Sequence, residues 1–199
     1  QITVDLILQN LEKDSIFFDI GANEGFFSLI ASKVNYNGKT YAFEPQTQLL
    51  PIIERNLIKN NCTNCEIINI GIGEKNYTTK INIFLETNSG ASSIIKKYRF
   101  SNKTQLITIQ SLDEFVFNNK IHNQIDLIKI DIEGYEVKAI EGMKNLLINK
   151  RINTILVDYH MSIITHQDKE KCEKFILSCG YKKINTETED YICYKLIIE

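Results

Sequence analysis

The chain has little proline: 2 residues in 199, and no stretch of low complexity. That excludes a proline-stiffened spacer or a composition-biased linker. No internal repeat is visible, so a repeat architecture is not expected. No apolar run reaches the ~20 residues that a membrane-crossing helix needs, so no membrane insertion is expected. No secretory signal is visible either. The chain begins at Gln1 rather than Met, as a processed, trimmed or excised polypeptide would. Basic charge is not in excess: the net charge is −2 and the pI near 6.0. A general nucleic-acid binder is usually basic, so nucleic acid is not an expected partner. The five cysteines are odd in number, and Cys62-x-x-Cys65 lacks a second pair at zinc spacing. Free thiols in a reducing cytoplasm are expected, with Cys172, Cys179 and Cys193 as buried small hydrophobes.

What is present suits an ordinary globular protein: 43% hydrophobic and 24% charged residues. The length fits a single domain over 1–199 with a sizeable core. A short lead-in over 1–14 and a β-rich insertion over about 77–110 are the departures from regular alternation. Ile16–Ile20 reads as a first strand. Apolar residues at helical spacing (Phe26, Leu29, Ile30, Val34) make Gly25–Val34 a helix, ended by the turn residues of Asn35–Gly38. Thr40–Phe43 is a second strand, stopped by Glu44-Pro45. Leu49–Asn60 is a second amphipathic helix, and Glu66–Ile70 a third strand.

Thr79–Leu85 and Leu106–Gln110 then alternate like half-exposed strands around a polar loop, Asn88–Ser93. They read as an insertion near one edge of the sheet. Ser111 caps a short helix through Phe117, with Glu114 at capping-box spacing. Ile125–Ile130, ending in Asp131, is the fourth strand; Glu136–Ile148 is a helix. Ile152–Val157 is the fifth strand and runs into Asp158-Tyr159-His160. A helix over Lys169–Cys179 is closed by Gly180. Tyr181–Asn185 and Ile192–Ile198, around the turn at Glu187–Asp190, form a terminal antiparallel pair. Alternating strands and helices define an α/β fold with a mostly parallel sheet. Ligands in such sheets bind at the carboxyl ends of the strands. Asp19, Glu44, Asp131, Asp158 and His160 all fall there.

Gly21 and Gly25 bracket the turn from the first strand into its helix. Such a turn needs positive φ and close approach of backbone to a ligand. Dinucleotide and S-adenosylmethionine (SAM) sites share this feature. Here the loop is Gly-x-x-x-Gly, with Asn23 where a pyrophosphate-binding loop has its middle glycine. Asp19 would repel phosphates but can attract the ammonium of SAM. Glu44 can accept hydrogen bonds from both ribose hydroxyls, in either kind of site. Both acids also have structural roles open to them, Asp19 as a helix-dipole partner and Glu44 as a strand-end cap.

The runs Asp19-Ile20-Gly21-Ala22-Asn23-Glu24-Gly25-Phe26-Phe27 and Ala42-Phe43-Glu44-Pro45 resemble the FkbM family of methyltransferases. The likeness sharpens at Ile125-Asp126-Leu127-Ile128-Lys129-Ile130-Asp131-Ile132-Glu133-Gly134-Tyr135-Glu136, followed by Ala139-Ile140-Glu141-Gly142-Met143. Ser111-Leu112-Asp113-Glu114-Phe115 fits the lead-in to the fourth strand. The resemblance implies a Rossmann-like class I methyltransferase: a seven-stranded, mostly parallel sheet with an antiparallel last strand, helices on both faces, and the β-rich insertion after strand three. It implies SAM as cofactor and methyl transfer mostly to hydroxyls of sugars, glycans or natural-product scaffolds. By position, the methionine part would lie on Asp19, Gly21, Ala22, Asn23, Gly25 and Phe26, and the ribose on Glu44 beside Pro45. Asp131 would lie under the methyl. Asn69-Ile70-Gly71-Ile72-Gly73 departs from the family's usual Asn-x-Ala-x-Gly, which leaves Gly71 and Ile72 as the adenine pocket.

A sugar hydroxyl is a poor nucleophile until it loses its proton, so a base is expected beside the methyl. Asp131, Glu133 and His160 are the candidates. Lys129 shares a side of the strand with Asp131 and could hold it charged, or form a simple ion pair with it. His160 can titrate near neutrality; His122 and His166 lie in polar loop contexts. Asp131, Glu133 and Asp158 could gather a divalent cation, but clustered carboxylates more often act as base and hydrogen-bond acceptors, so no metal ligand is assigned. Tyr98, Arg99 and Phe100 are candidates for touching the acceptor. N-methylation of an amide or amine, a non-catalytic SAM-binding domain and a dehydrogenase are the competing readings. The oligomeric state is not legible.

Overall fold

The computed structural model describes residues 2–83, 103–184 and 191–197. The expected polar loop Asn88–Ser93, the aromatic and basic residues Tyr98, Arg99 and Phe100, and the turn at Glu187–Asp190 lie outside them. Ten strands and seven helices are present among the described residues. The strands β1 (Ile16–Ile20), β2 (Lys39–Phe43), β3 (Cys65–Ile68), β7 (Ile125–Ile130), β8 (Ile152–Asp158), β9 (Tyr181–Ile184) and β10 (Tyr191–Leu196) form one sheet in the order β3-β2-β1-β7-β8-β10-β9. β10 is antiparallel to both neighbours, and the ladders from β3 through β8 are parallel.

Alternation along each central strand divides the core in two. Phe18 and Ile20, Ile128 and Ile130, and Ile155 and Val157 point to one face. There they meet α4 (Leu112–Asn118), α5 (Glu136–Glu141), α6 (Lys144–Ile148) and α7 (His166–Ser178). Phe17, Leu127 and Leu156 point to the other, against α1 (Ile2–Asn10) and α2 (Phe26–Val34). Ala42 packs with Ile53 and Leu57 of α3 (Leu50–Lys59) on that second side. Phe18, Phe43 and Phe115 meet at 4.8–6.3 Å between centroids, mostly edge to face. Each such fully buried ring contributes ~1.5–3 kcal/mol by burial. Helices therefore cover both faces.

Four expectations are corrected. The lead-in carries α1, whose Ile7 is fully buried and packs on β7's Leu127 face. The third strand stops at Ile68, where Ile70 N–H turns back to the Ile68 carbonyl at 2.9 Å. The helix expected over 136–148 breaks into α5 and α6 at Gly142-Met143. A side chain at Gly142 would lie 1.9 Å from the Gly73 carbonyl oxygen, and the Asp113 carboxylate accepts from Asn145 and Leu146 N–H to start α6 afresh. Cys172 and Cys193 are buried, but Cys179 is only partly so.

Among the described residues, the insertion's strands pair with each other and with β4 (Gly71–Ile72) rather than with the main sheet. β5 (Tyr77–Asn82) runs antiparallel to β6 (Thr104–Gln110), and β6 pairs in parallel with β4. β4 follows directly from β3, so this small sheet stands over the carboxyl end of the main one. Ser111 caps α4 as expected, accepting from Glu114 N–H at 3.3 Å.

Candidate active site

A cleft opens at the carboxyl ends of β1, β2 and β7, with an empty volume of about 770 Å³ including its solvent-open mouth. Its wall is built from Gly21 and Asn23 after β1, Glu44, Pro45 and Gln46 after β2, and Ile70, Gly71 and Ile72 at the start of the small sheet. Ile81 and Ile109 come from the small sheet, and Asp131, Ile132, Glu133 and Tyr135 follow β7. Gln46, Ile70, Ile81, Ile109 and Tyr135 were not singled out by sequence. The insertion's alternating pattern shows that Ile81 and Ile109 have a buried side, but not what they face.

The loop after β1 bends through three left-handed residues, Gly21 (φ 82°), Asn23 (φ 51°) and Gly25 (φ 81°). Glycine is required at Gly21 on two counts: its φ, and the Asp131 carbonyl oxygen, 2.0 Å from where a Cβ would sit. Asparagine tolerates such a φ better than most residues. The loop's amides turn toward β2: Gly21 and Ala22 N–H donate to the Phe43 carbonyl at 3.1 and 3.0 Å, and Asn23 N–H to Glu44 Oε2 at 2.8 Å. Glu44 Oε1 accepts from Gln46 N–H at 3.0 Å. Burial nevertheless dominates at Glu44, which is 3% exposed, and pushes its carboxyl up to about 7 against those two hydrogen bonds. Behind it, Asn69 Nδ2 donates to the Glu44 and Pro45 carbonyls.

Asp19 is placed differently from its expected contact with the cofactor. Its register partner across the β1–β7 ladder is Lys129, and both are buried. Lys129 Nζ lies 3.1 Å from Asp19 Oδ1, and Ser28 Oγ on α2 donates to Oδ2 at 2.6 Å. Asp19 is thus committed to an ion pair beneath the loop and does not line the cleft. Lys129 also lies 3.6 Å from Asp131 Oδ2, which shares its side of β7, and 4.9 Å from the centroid of the Phe27 ring. Burial opposes its charge, but Asp19 and Asp131 outweigh burial and raise its pKa. Ala22 and Gly25 shape the loop without lining the cleft; Phe26 is 61% exposed and stacks edge-on against Phe27.

On the β7 side, Asp131 and Glu133 line the cleft with partly exposed carboxylates. His160, two residues beyond β8, faces both: its Nε2 is 3.8 Å from Asp131 Oδ1 and 3.5 Å from Glu133 Oε1. Its Nδ1 lies 2.7 Å from Oε1 of Glu136, a fully buried residue. Burial works against an imidazolium here, but Glu133 and Glu136 overcome it and raise the His160 pKa to about 10. Carboxylates at both ring nitrogens favour the charged ring, which donates from each of them. Asp158, at the end of β8, has its carboxyl raised by burial and by Asp131. Asp131, Asp158 and His160 each bring a polar atom within 4.8 Å of the others.

The chemistry of the lining suits SAM. It carries the carboxylates of Glu44, Asp131 and Glu133 and no lysine or arginine among the described residues. A sulfonium and an ammonium are complemented by such a surface; a pyrophosphate is not. The strand order, the reversed last strand and the cleft at the carboxyl ends define the Rossmann-like class I methyltransferase fold. The chain belongs to the methyltransferase FkbM domain family, whose model matches residues 19–183, and is a SAM-dependent methyltransferase. Among its relatives is the hexuronic acid methyltransferase AglP of Haloferax volcanii, 24% identical over 192 residues, spanning 96% of this chain and 75% of that protein. Two solved structures share the fold. One is an rRNA methylase from Streptococcus thermophilus (TM-score 0.54, 14% identical, 98% of this chain and 95% of that one). The other is TrmK of M. capricolum in complex with S-adenosyl-homocysteine (SAH; TM-score 0.51, 14% identical, 98% of this chain and 66% of that one). No helix among the described residues is long and apolar enough to cross a membrane.

Proposed function

We propose that this enzyme transfers the methyl group of SAM to a hydroxyl oxygen of a sugar, glycan or similar polyhydroxylated scaffold. The observation that carries the reading is the set of carboxylates, Asp131 and Glu133, held at the cleft wall beside His160. Bound SAM supplies a methyl already activated on a sulfonium. The protein must then seat the acceptor in line and take its proton. The Gly21–Gly25 loop holds the methionine part, with Asp19 acting from beneath through Lys129. Glu44 accepts from the ribose hydroxyls, and Gly71 and Ile72, with Ile81 and Ile109, receive the adenine. Asp131 takes the hydroxyl proton. Its backbone is fixed by its N–H to the Ile20 carbonyl at 3.1 Å and by the close approach of Gly21. His160 Nε2–H donates to the acceptor oxygen and holds it against Asp131, while Glu133 steadies the ring. The hexuronic acid specificity of AglP supports a sugar acceptor.

Calorimetry with SAM and SAH tests the cofactor, and transfer of labelled methyl to a panel of uronic and neutral sugars tests the acceptor. SAM binding with O-methylated sugar is the expected result. Binding with transfer only to amines or amides would move the reading to an N-methyltransferase. Binding without transfer to any acceptor in a host extract would make it a non-catalytic SAM-binding domain.

A further inference from the structure

We infer that Glu136 is a positioning residue: it folds the Asp131–Tyr135 loop and fixes the His160 ring so that Nε2, as an N–H donor, faces Asp131 and Glu133. Three donors converge on one of its oxygens. Oε1 accepts from Gly134 N–H at 3.0 Å, from Ile132 N–H at 3.3 Å, and from His160 Nδ1 at 2.7 Å. The two backbone donors come from the turn that presents Glu133, where both Glu133 (φ 52°) and Gly134 (φ 96°) adopt left-handed conformations. A non-glycine residue in that region is held there by its surroundings, and the clamp by Glu136 is one such constraint.

Glu136 is fully buried at the first turn of α5 and does not line the cleft, so it acts through the groups it holds. Its other oxygen, Oε2, is buried and has no hydrogen-bond partner among the described residues. A glutamine could accept from the two backbone N–H groups equally well. A carboxylate left with a bare buried oxygen is a costly choice for that task alone. Its charge is explained by the third donor, because a negative group at Nδ1 favours the imidazolium. The groups facing His160 are Glu136 from α5, Glu133 from the loop, and Asp131 and Asp158 from the ends of β7 and β8. Glu136 is the buried member of this set and holds Nδ1, which leaves Nε2 directed at the cleft side.

The catalytic consequence rests on the proposed O-methyl transfer; the position and charge of His160 do not. The test is therefore NMR titration of the His160 ring in the cofactor-free full chain, beside steady-state kinetics. In the wild-type protein at pH 8, both ring nitrogens are expected to be protonated. In Glu136→Gln the His160 pKa should fall by at least one unit. Turnover should fall about tenfold or more with SAH affinity unchanged, and the pH profile should shift with the histidine. If Glu136→Gln does not fold, Glu136→Asp, which withdraws the carboxylate from Nδ1, takes its place, with a fall in the His160 pKa again expected and an unaltered titration again overturning the inference. A wild-type ring that is singly protonated at pH 8 would overturn the inference, as would a folded variant with an unaltered His160 titration. The expected His160 titrations in wild type and variant, in a protein that transfers no methyl to sugars, would count against the proposed function alone.

Discussion

Two neighbouring strands end in the same kind of device. After β1, and again after β7, the chain turns through left-handed residues into a helix beside buried acid. Around β1, Asp19 is answered by Lys129 and Ser28 away from the cleft, and Glu44, which follows the neighbouring β2 and lines the cleft, by two backbone N–H groups. After β7 only Glu136 is so buried, while Asp131 and Glu133 keep part of their carboxylates open to the cleft. The first turn is spent on holding its own shape; the second leaves carboxylates exposed to the cleft, as the proposed proton transfer needs. The buried Lys129 joins the two, touching Asp19 on one side and Asp131 on the other.

The sharpest break between the two turns should come from Asp131→Asn. We expect turnover to fall ~10²–10⁴-fold, the usual loss when a general base is removed, while SAH affinity measured by calorimetry stays within a few fold. Loss of affinity in step with turnover would make Asp131 a cofactor residue instead. In the first turn, Lys129→Met leaves Asp19 buried without its cation. A loss of ~3–5 kcal/mol is expected on breaking such a pair, read as a lower denaturation midpoint; an unchanged midpoint would mean that the pair contributes little.

Smaller effects separate the turns by pH. Glu44, with its carboxyl near 7, should accept the ribose better once ionised. SAM affinity is expected to increase as pH rises through about 7, and Glu44→Gln should weaken binding and flatten that dependence. His160 has the opposite sign for stability. Its folded pKa of about 10 lies above the ordinary ~6.5, so its contribution is complete below about 6.5 and is lost as pH rises through about 10. Thermal unfolding of wild type and His160→Gln should converge toward pH 10; a constant difference would contradict the charged histidine. The smallest effect expected is from chelation. With His160 holding its protons, removal of divalent cations should leave activity unchanged, and a chelator-sensitive, magnesium-restored rate would reverse that.

Much of this was legible from residue order because the central strands are short apolar runs ending at chemistry-bearing residues. Ile16–Ile20 and Ile125–Ile130 have the expected bounds, and the strand ends bring Glu44, Asp131 and Glu133 to one cleft. Alternation also correctly put Lys129 and Asp131 on one side of β7. It could not reveal that the β1–β7 register sets Asp19 opposite Lys129, because register between strands over a hundred residues apart is not encoded locally. The same limit hid the self-contained small sheet. An isolated imidazole titrates near neutrality; His160 is shifted up by Glu133 and Glu136, which come beside it only when the loop after β7 and α5 pack against the end of β8. The break at Gly142 was missed because its cause is the Gly73 carbonyl, far away in sequence.

The most direct test of the central claim is the bond that the transferred methyl ends on. Wild-type protein, labelled SAM and sugar acceptors should give a product whose methyl carbon, read by NMR, is bonded to oxygen as an ether. A product methylated on nitrogen, with the sugars untouched, would contradict it.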